Sequence, residues 1–389
     1  MSGNDAAGGE NVHDKVGLRT VRLNTQNFGR RGFLKIAAAA ATASAALGAG
    51  PGARIPMGLN TYCLRAFKWN DAQLLDYAAS QKMDAVFLQD SLDPRAQDPA
   101  HWVEVREQAA RLGLHLETGV GGVLPKNAEA FAGSVRILEQ GIKRSKAMGS
   151  PIVRCLHAAD REHLPPGPVE QHVATMIRLL RTVRSQALDA GVKFALENHK
   201  DLLAFEMRQV IEGAGKDIAG SYLDTGNPVF VLEHPMTTLE ELGPLALTVH
   251  LRDSAIYETP QGVAVQWVPL GEGVVDFREI VAKVREVCPP VHIYIKPITG
   301  RPPAILPYLD PAFMARYGDM RAGDLARFLA LAKAGHPYDR PMVIEDVPGN
   351  AIPEPYATAL QYQQKEHMER SIGYAKKVLD LGVRWRGEK

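Results

Sequence analysis

Short apolar runs alternate with longer amphipathic stretches from residue 54 onward. Seven of the runs are continuous and rich in β-branched residues or Leu, which is typical of strands buried on both faces of a parallel sheet. They recur at intervals of roughly 25–40 residues, the spacing of one strand–helix unit. The predicted strands cover residues 55–62, 85–89, 114–118, 151–157, 193–198, 218–224 and 245–251.

The stretches between these runs carry apolar residues at helical spacing. They predict helices over 71–81, 99–112, 128–148 and 169–190, the last of which ends at Gly191. No Gly-x-Gly-x-x-Gly pattern follows the first strand, so a dinucleotide-binding sheet is disfavoured. Eight units of this size make a barrel of roughly 250 residues. The predicted fold class is therefore α/β, a (β/α)8 TIM barrel with a C-terminal extension.

Two segments compete for the eighth strand. Residues 291–298 have the right composition and spacing, whereas residues 341–347 come about fifty residues later. We favour 291–298, which gives a barrel over 54–298 and an extension over 299–389 packed on its outside. Within the extension the pattern predicts helices over 322–334 and 356–381.

Composition narrows the class of protein. The chain is 46% hydrophobic and 23% charged, as in a globular protein with a full core. It has no run of eighteen strongly apolar residues, and its net charge of +1 comes without a long basic block, so a multi-spanning membrane protein and a nucleic-acid binder are both disfavoured. Three widely spaced cysteines offer neither a disulfide framework nor a CxxC zinc site.

The first fifty-three residues differ from the rest of the chain. They hold six basic and three acidic residues, and Arg30-Arg31 precedes an alanine-rich, weakly apolar stretch that ends in small residues. This is the anatomy of an export signal, and the paired arginines followed by Phe33-Leu34-Lys35 resemble a bacterial twin-arginine signal. We expect residues 1–53 to be a leader recognised by the twin-arginine translocation machinery, which places the mature protein in the periplasm or outside the cell.

Polar residues stand at the ends of three consecutive predicted strands. Glu197 lies near the end of the fifth, Asp224 ends the sixth and His250 lies near the end of the seventh. The carboxyl ends of the strands of a TIM barrel meet at one face, where active sites are built. Oxygen and nitrogen ligands without a thiolate suit one divalent ion, with Mn²⁺ preferred and Mg²⁺, Co²⁺ or Zn²⁺ as alternatives.

These strand ends resemble the xylose isomerase-like TIM barrel family of sugar phosphate isomerases and epimerases. The resemblance rests on four motifs, which are Glu197-Asn198-His199, Leu223-Asp224-Thr225-Gly226-Asn227, Val249-His250-Leu251-Arg252-Asp253 and the segment from Pro269 to Phe277. Members of this family commonly hold one divalent ion with Glu, Asp, His and a second Glu from strand eight. Carried over, the first three ligands are Glu197, Asp224 and His250.

The fourth ligand position departs from the family pattern, because it falls near Lys296, and an ammonium cannot ligate a metal. Lys296 is then a neutral base or a substrate contact, or the ion has three protein ligands, or the site holds no ion. Alternatively, Glu345 folds back to complete the site. The candidate catalytic residues are therefore Glu197, Lys296 and Glu345. We predict His157, His199, Arg252 and Arg301 as contacts to a small carbohydrate, with no nucleic acid as partner.

The resemblance implies proton transfer next to a sugar carbonyl through an enediolate, which a metal stabilises as a Lewis acid. The leading hypothesis is an exported, metal-dependent sugar isomerase or epimerase. The same intermediate permits β-elimination, so a carbon–oxygen lyase or dehydratase acting on a keto-sugar or 3-keto-glycoside is the runner-up. A catalytically inactive sugar-binding barrel is the alternative from another class.

Overall fold

A closed barrel of eight parallel strands forms the centre of the fold, as predicted. We describe it from a computed structural model, which describes residues 54–386 except 343 and 348. The strands in chain order are β1 Met57–Asn60, β2 Ala85–Leu88, β3 His115–Gly122, β4 Ile152–Leu156, β5 Lys193–Glu197, β6 Ala219–Asp224, β7 Ala246–Leu251, β8 Asp253–Thr259, β9 Gly262–Val268, β10 Ile293–Ile295 and β11 Ala304–Leu306. The barrel order is β1-β10-β7-β6-β5-β4-β3-β2.

Helices cover the outside of the barrel. They are α1 Asp71–Ser80, α2 Pro99–Arg111, α3 Phe131–Met148, α4 Val169–Thr182, α5 Arg184–Ala190, α6 Ala204–Ala214, α7 Pro235–Leu242, α8 Phe277–Val287, α9 Pro311–Met314, α10 Ala322–Ala334 and α11 Glu354–Lys377. Local chemistry sets several of their ends. Asn70 and Gln73 form a reciprocal capping box at the start of α1, and Gly149 ends α3 in the left-handed conformation with φ 75°.

The eighth barrel strand is β10, within the favoured segment 291–298. It pairs in parallel with β1 on one side and β7 on the other, which closes the barrel. The described residues of 341–347 form no strand, because the Gln363 side chain satisfies the backbone of Ile344 instead. Gln363 Oε1 accepts from the Ile344 N–H at 2.9 Å, and Gln363 Nε2 donates to the Ile344 carbonyl at 2.8 Å.

A three-stranded antiparallel sheet in the order β11-β9-β8 lies beyond β7. The predicted pattern of alternating strand–helix units did not include it, although Pro260-Gln261-Gly262 marks a turn between β8 and β9. Its apolar residues, among them Ile256 and Val263, form a separate buried cluster with Phe328 of α10. The sheet supplies Trp267 and Ala304 to the wall of the cavity at the barrel's mouth.

Two buried clusters fill the barrel and its surroundings. The larger lies between strands and helices and includes residues of α11 such as Met368 and Ile372. The smaller contains Phe87, Tyr222 and Tyr294, whose rings meet edge-on around Phe87 at 5.4 and 5.8 Å between centroids. The C-terminal extension thus shares the barrel's core. In the described part of the chain, no helix is both long and apolar enough to span a bilayer.

Because α11 belongs to the barrel's own core, its apolar face should contribute to global stability. We predict that Met368→Ala, at a fully buried position, lowers the free energy of unfolding by about 2–5 kcal/mol in urea denaturation. Tyr362→Ala on the exposed side of the same helix should change it by less than about 0.5 kcal/mol. Equal effects of the two substitutions, or a separate early transition for the extension, would show that α11 is not part of the cooperative unit.

Candidate active site

Charged side chains from four barrel strands converge at the carboxyl-terminal mouth. Glu197 and Asp224 are the last residues of β5 and β6, Arg252 directly follows β7, and Lys296 directly follows β10. All four are almost completely buried. Parallel strands end at the same face of a barrel, so residues far apart in sequence meet there.

The Lys296 ammonium lies between the two strand-end carboxylates. Its Nζ donates to Glu197 Oε1 at 3.0 Å, to Asp224 Oδ2 at 3.0 Å and to the Tyr222 hydroxyl at 3.1 Å. Three acceptors match the three N–H bonds of an ammonium group. Burial together with the neighbouring carboxylate charges raises the pKa of Tyr222 well above its ordinary value, so this partner is a neutral phenol.

Two arginines complete the network. Arg154 Nε donates to Glu197 Oε2 at 2.6 Å and its Nη2 lies 2.5 Å from the same oxygen, while Arg252 Nη2 donates to Asp224 Oδ2. Burial opposes ionisation of Glu197, but the Arg154 and Lys296 charges together hold the pKa of this carboxyl well below its ordinary value. Three side-chain cations therefore face two carboxylates in a nearly dry environment.

Gly226 in the Asp224-Thr225-Gly226-Asn227 segment is required by close packing. A Cβ at this position would lie 2.6 Å from Cδ and 2.7 Å from Cβ of Arg252. The glycine therefore allows the Arg252 side chain to pass over β6 and reach Asp224. Beside it, Asn227 Nδ2 donates to Glu197 Oε1 at 3.2 Å, so both oxygens of Glu197 have partners.

His250 does not join the two carboxylates. Its ring is stacked between Tyr222 and Tyr294, with centroid distances of 3.9 and 4.7 Å, in the aromatic layer inside the barrel. Burial and the Lys296 charge lower the pKa of His250 well below its ordinary value, so the ring is neutral. Its Nδ1 has no hydrogen-bond partner among the described residues.

The residues at this point do not fit a divalent ion. Lys296 takes the place between Glu197 and Asp224, and an ion there would meet the charges of Lys296, Arg154 and Arg252. Like charges in a low-dielectric site repel strongly. The predicted ligand set Glu197, Asp224 and His250 is therefore not assembled around a free position, and of the two candidates for completing the site it is Lys296 that lies beside Glu197.

Other described residues do form groups that could hold a divalent metal. The ligand atoms within each group lie within 4.8 Å of one another, and the groups are His115, Glu117 and His292, and Asp71, Asp93 and His101. In the first group, His115 and Glu117 belong to β3 and His292 directly precedes β10, so this group lies at the amino-terminal end of these strands. Neither group includes a residue of the predicted ligand set.

A cavity of about 440 Å³ opens above the network. Its volume lies in the range of small-molecule sites. Five predicted site residues line it, together with several polar or aromatic residues that were not predicted. The predicted lining residues are Glu197, His199, Arg252, Lys296 and Arg301, and the missed ones include Gln89, Asp90, Arg154, Lys200, Phe230 and Trp267.

The remaining predicted residues lie elsewhere. Glu345 is exposed and does not line the cavity, because its neighbour Asp346 takes the inward position and pairs with Arg65. His157 is buried behind the cavity wall with its Nδ1 3.5 Å from Asp201 Oδ2. Arg154 could have been predicted as a site residue from the sequence, because an arginine inside an otherwise apolar strand needs a buried carboxylate partner.

A larger cavity of about 540 Å³ lies beside β3 and α3, lined by Asp71, Thr118 and Arg144 among others. It shares Asp90 and Gly121 with the smaller one. We assign the candidate active site to the smaller cavity, because only there do charged side chains from several strand ends converge on one point.

His199 presents a neutral imidazole to the cavity. Its Nδ1 lies against the Ala159 carbonyl, which can only accept, so Nδ1 carries the proton and Nε2 keeps a free lone pair. Burial lowers the pKa of His199 below its ordinary value of 6.5, although the nearby Glu197 carboxylate opposes this. The ring is therefore a proton acceptor near neutral pH.

The family model described as the xylose isomerase-like TIM barrel matches residues 75–287, more than half of the chain. The chain belongs to this family. As a class, its structural neighbours are sugar isomerases and epimerases.

Individual comparisons are distant. The 3-oxo-isoapionate decarboxylase of Pectobacterium atrosepticum is 22% identical over 241 residues, 59% of this chain and 80% of that protein. The uncharacterized protein YihM of Escherichia coli is 26% identical over 98 residues, 25% of this chain and 30% of that protein's length.

Two solved structures share the fold over most of the chain. A D-psicose 3-epimerase in the presence of D-fructose has a TM-score of 0.56 and 14% identity, covering 84% of this chain and 99% of that one. The IolI protein with a bound zinc atom has a TM-score of 0.53 and 12% identity, covering 83% of this chain and 99% of that one.

Because Lys296 is the only cation that contacts both strand-end carboxylates among the described residues, its removal should destabilise the fold. We predict that Lys296→Met lowers the free energy of unfolding by about 3–5 kcal/mol in urea denaturation, since two buried carboxylates lose a shared partner. Lys200→Met is the matched control at the same cavity. The described residues place no carboxylate within ion-pair distance of Lys200, so we expect a change below about 1 kcal/mol. A stable Lys296→Met protein would contradict this account of the network.

Proposed function

We propose that this chain catalyses isomerisation or epimerisation of a sugar by moving a proton next to a carbonyl, with side-chain cations in the place of a catalytic metal. The observation that carries this proposal is the position of the Lys296 ammonium, 3.0 Å from both strand-end carboxylates at the floor of the cavity. Family membership supports the reaction class.

Lys296 would stabilise the enediolate. Of its three acceptors, two are carboxylates and the third is the neutral Tyr222 hydroxyl. An enediolate oxygen in the cavity would take over the N–H donor that now serves the buried Tyr222 hydroxyl, since the ammonium prefers an anionic acceptor to a neutral one. A fixed positive charge in a dry site stabilises a developing oxyanion without reorganisation.

His199 is the better candidate for the general base. Glu197 was the predicted base, but its pKa is held low and both of its oxygens already accept hydrogen bonds. A carboxylate in that state is a poor proton acceptor. His199 combines a free Nε2, a neutral ring and a place in the cavity wall, so we assign it proton abstraction. Return of the proton by His199 to the neighbouring carbon, on the same face, completes an isomerisation, whereas an epimerisation needs a second proton donor on the opposite face.

A lyase is the second candidate. In decarboxylation of a β-keto acid the bond to the carboxylate breaks, carbon dioxide leaves and the bonding electrons form an enolate. His199 then passes to the carbon a proton that it takes up from solvent. The similarity to 3-oxo-isoapionate decarboxylase and the excess of cations in the cavity wall favour this variant. β-Elimination of a hydroxyl from a keto-sugar would use the same base.

The reaction is tested by deuterium exchange from solvent into a panel of keto-sugars, followed by NMR with chelator-treated protein. We expect exchange to survive chelation. His199→Gln should lower its rate by about 10²–10⁴-fold, the usual contribution of a general base. Since the base acts in its neutral form and its pKa is lowered, the rate should fall with decreasing pH only below about 6.5.

His336→Gln is the matched control, because the Nδ1 of His336 also lies against a backbone carbonyl, 2.8 Å from that of Pro337, but on the exposed surface. It should leave the rate unchanged. Loss of exchange on chelation, restored by a divalent metal, would overturn metal-independent catalysis. Sugar binding without exchange or elimination in any member of the panel would favour a non-catalytic binding barrel.

Export remains part of the proposal. The twin-arginine motif lies outside the described residues, so its support comes from Arg30-Arg31 and the weakly apolar stretch after them. We expect Arg30→Lys with Arg31→Lys to retain the protein in the cytoplasm, as measured by immunoblotting of cell fractions, since twin-arginine signals depend on both guanidinium groups. Unchanged export would argue for another route.

A further inference from the structure

The cavity wall carries positive charge that the described residues neutralise only in part. Lys200, Arg252 and Arg301 all line the cavity, which has only Asp90 and Glu197 as carboxylate lining residues. Glu197 is already paired with Arg154 and Lys296. Arg252 is paired with Asp224, whereas no ion pair to a described carboxylate neutralises Lys200, so the charge of the three wall cations is only partly compensated.

Each of the three cations has donor capacity left. Arg252 is nearly fully buried, yet its Nε has no hydrogen-bond partner among the described residues. The same holds for Arg301 Nη1, whose nearest carboxylate oxygen, on Asp346, is 3.9 Å away. The Lys200 ammonium lies 5.6 Å from the centroid of the Phe230 ring, and no described carboxylate comes within 4.0 Å of it.

These cations also repel one another. Burial is the main reason that the pKa of Lys200 is lowered; the Asp160 carboxylate opposes this, and the charges of Arg252 and Arg301 lower the pKa further. Burial and the charge of Arg65 likewise lower the pKa of Arg301. A bound anion would relieve this repulsion, because it pairs with the Lys200 ammonium and with the arginine N–H donors that lack a partner among the described residues.

We infer that the substrate carries an anionic group, a carboxylate or a phosphate, which Lys200, Arg252 and Arg301 bind together. Guanidinium groups suit both kinds of anion, because their planar N–H donors match the oxygens of either. This inference rests on the proposed function, which supplies the expectation that the substrate is a sugar. It adds that the sugar is a sugar acid or a sugar phosphate.

The rest of the cavity fits the remainder of such a molecule. Gln89 and Asp90 at the end of β2 offer acceptors to hydroxyl groups, and Trp267 and Phe230, with ring centroids 4.9 Å apart, present aromatic surface to the C–H faces of a sugar. Arg252 stacks over Trp267 at 4.2 Å, so the anion site adjoins the aromatic surface.

The test is isothermal titration calorimetry of the full chain with D-glucuronate, D-glucose 6-phosphate and their neutral parent D-glucose. We expect at least one anionic sugar to bind about tenfold or more tightly than glucose at low salt, the usual gain from one hydrogen bond to a charged group. Whichever anion binds more tightly identifies the group as carboxylate or phosphate. The preference should shrink at high salt, because screening weakens ion pairing.

Lys200→Met should reduce that preference about tenfold, and because Lys200 has no carboxylate partner the substitution leaves no buried charge unpaired. Lys333→Met, which removes the same charge from the exposed face of α10, should leave it unchanged. Equal binding of all three sugars, or an anion preference that survives Lys200→Met, overturns the inference. A different result would overturn the proposed function alone: protein that keeps the anion preference but catalyses neither proton exchange nor elimination.

Discussion

The Lys296 ammonium lies 3.0 Å from carboxylates on two neighbouring strands, and the rest of the barrel's mouth is arranged around that contact. Two buried carboxylates side by side repel each other and cannot both stay ionised without cations. Lys296 joins them, and Arg154 and Arg252 neutralise their outer oxygens. The same contact requires glycine at position 226, because the Arg252 side chain reaches Asp224 by passing close to a residue that has no side chain.

This network determines what chemistry the site can support. With Glu197 held ionised and both of its oxygens occupied, proton abstraction in the proposed reaction would pass to a neighbouring group, and His199 has the free lone pair for it. Because cationic side chains outnumber carboxylates in its wall, the cavity would favour anionic intermediates and anionic ligands over a metal ion. The charge balance that disfavours a metal at the centre is therefore the same feature that would stabilise an enediolate there.

The fold was predictable because its signals are local and repeated. Continuous apolar runs, helical spacing and short connections specify strand–helix units, and β10 falls within the favoured segment 291–298. The hairpin of β8 and β9 was missed, because it interrupts the strand–helix repeat from which the fold was predicted, although Pro260-Gln261-Gly262 marks its turn. The hairpin matters for the site, because its strand β9 places Trp267 in the cavity wall.

The site was predictable only in part. The positions of Glu197 and Asp224 follow from where their strands end, and Lys296 from the register of β10. The direction of a side chain depends on packing that the sequence pattern does not encode. Tyr222 and Tyr294 hold the His250 ring in the aromatic layer, and Asp346 rather than Glu345 faces inward. Lys200 can be recognised as a site residue only from the folded structure, in which both it and Arg154 line the cavity.

The central claim is that an ammonium group holds the position between Glu197 and Asp224. Its most direct test is crystallography of protein soaked in Mn²⁺, with anomalous scattering recorded for the ion. We predict no anomalous peak between these two carboxylates and clear density for Lys296 Nζ within hydrogen-bonding distance of both. A strong peak bound by Glu197 and Asp224, with Lys296 displaced, would contradict the account.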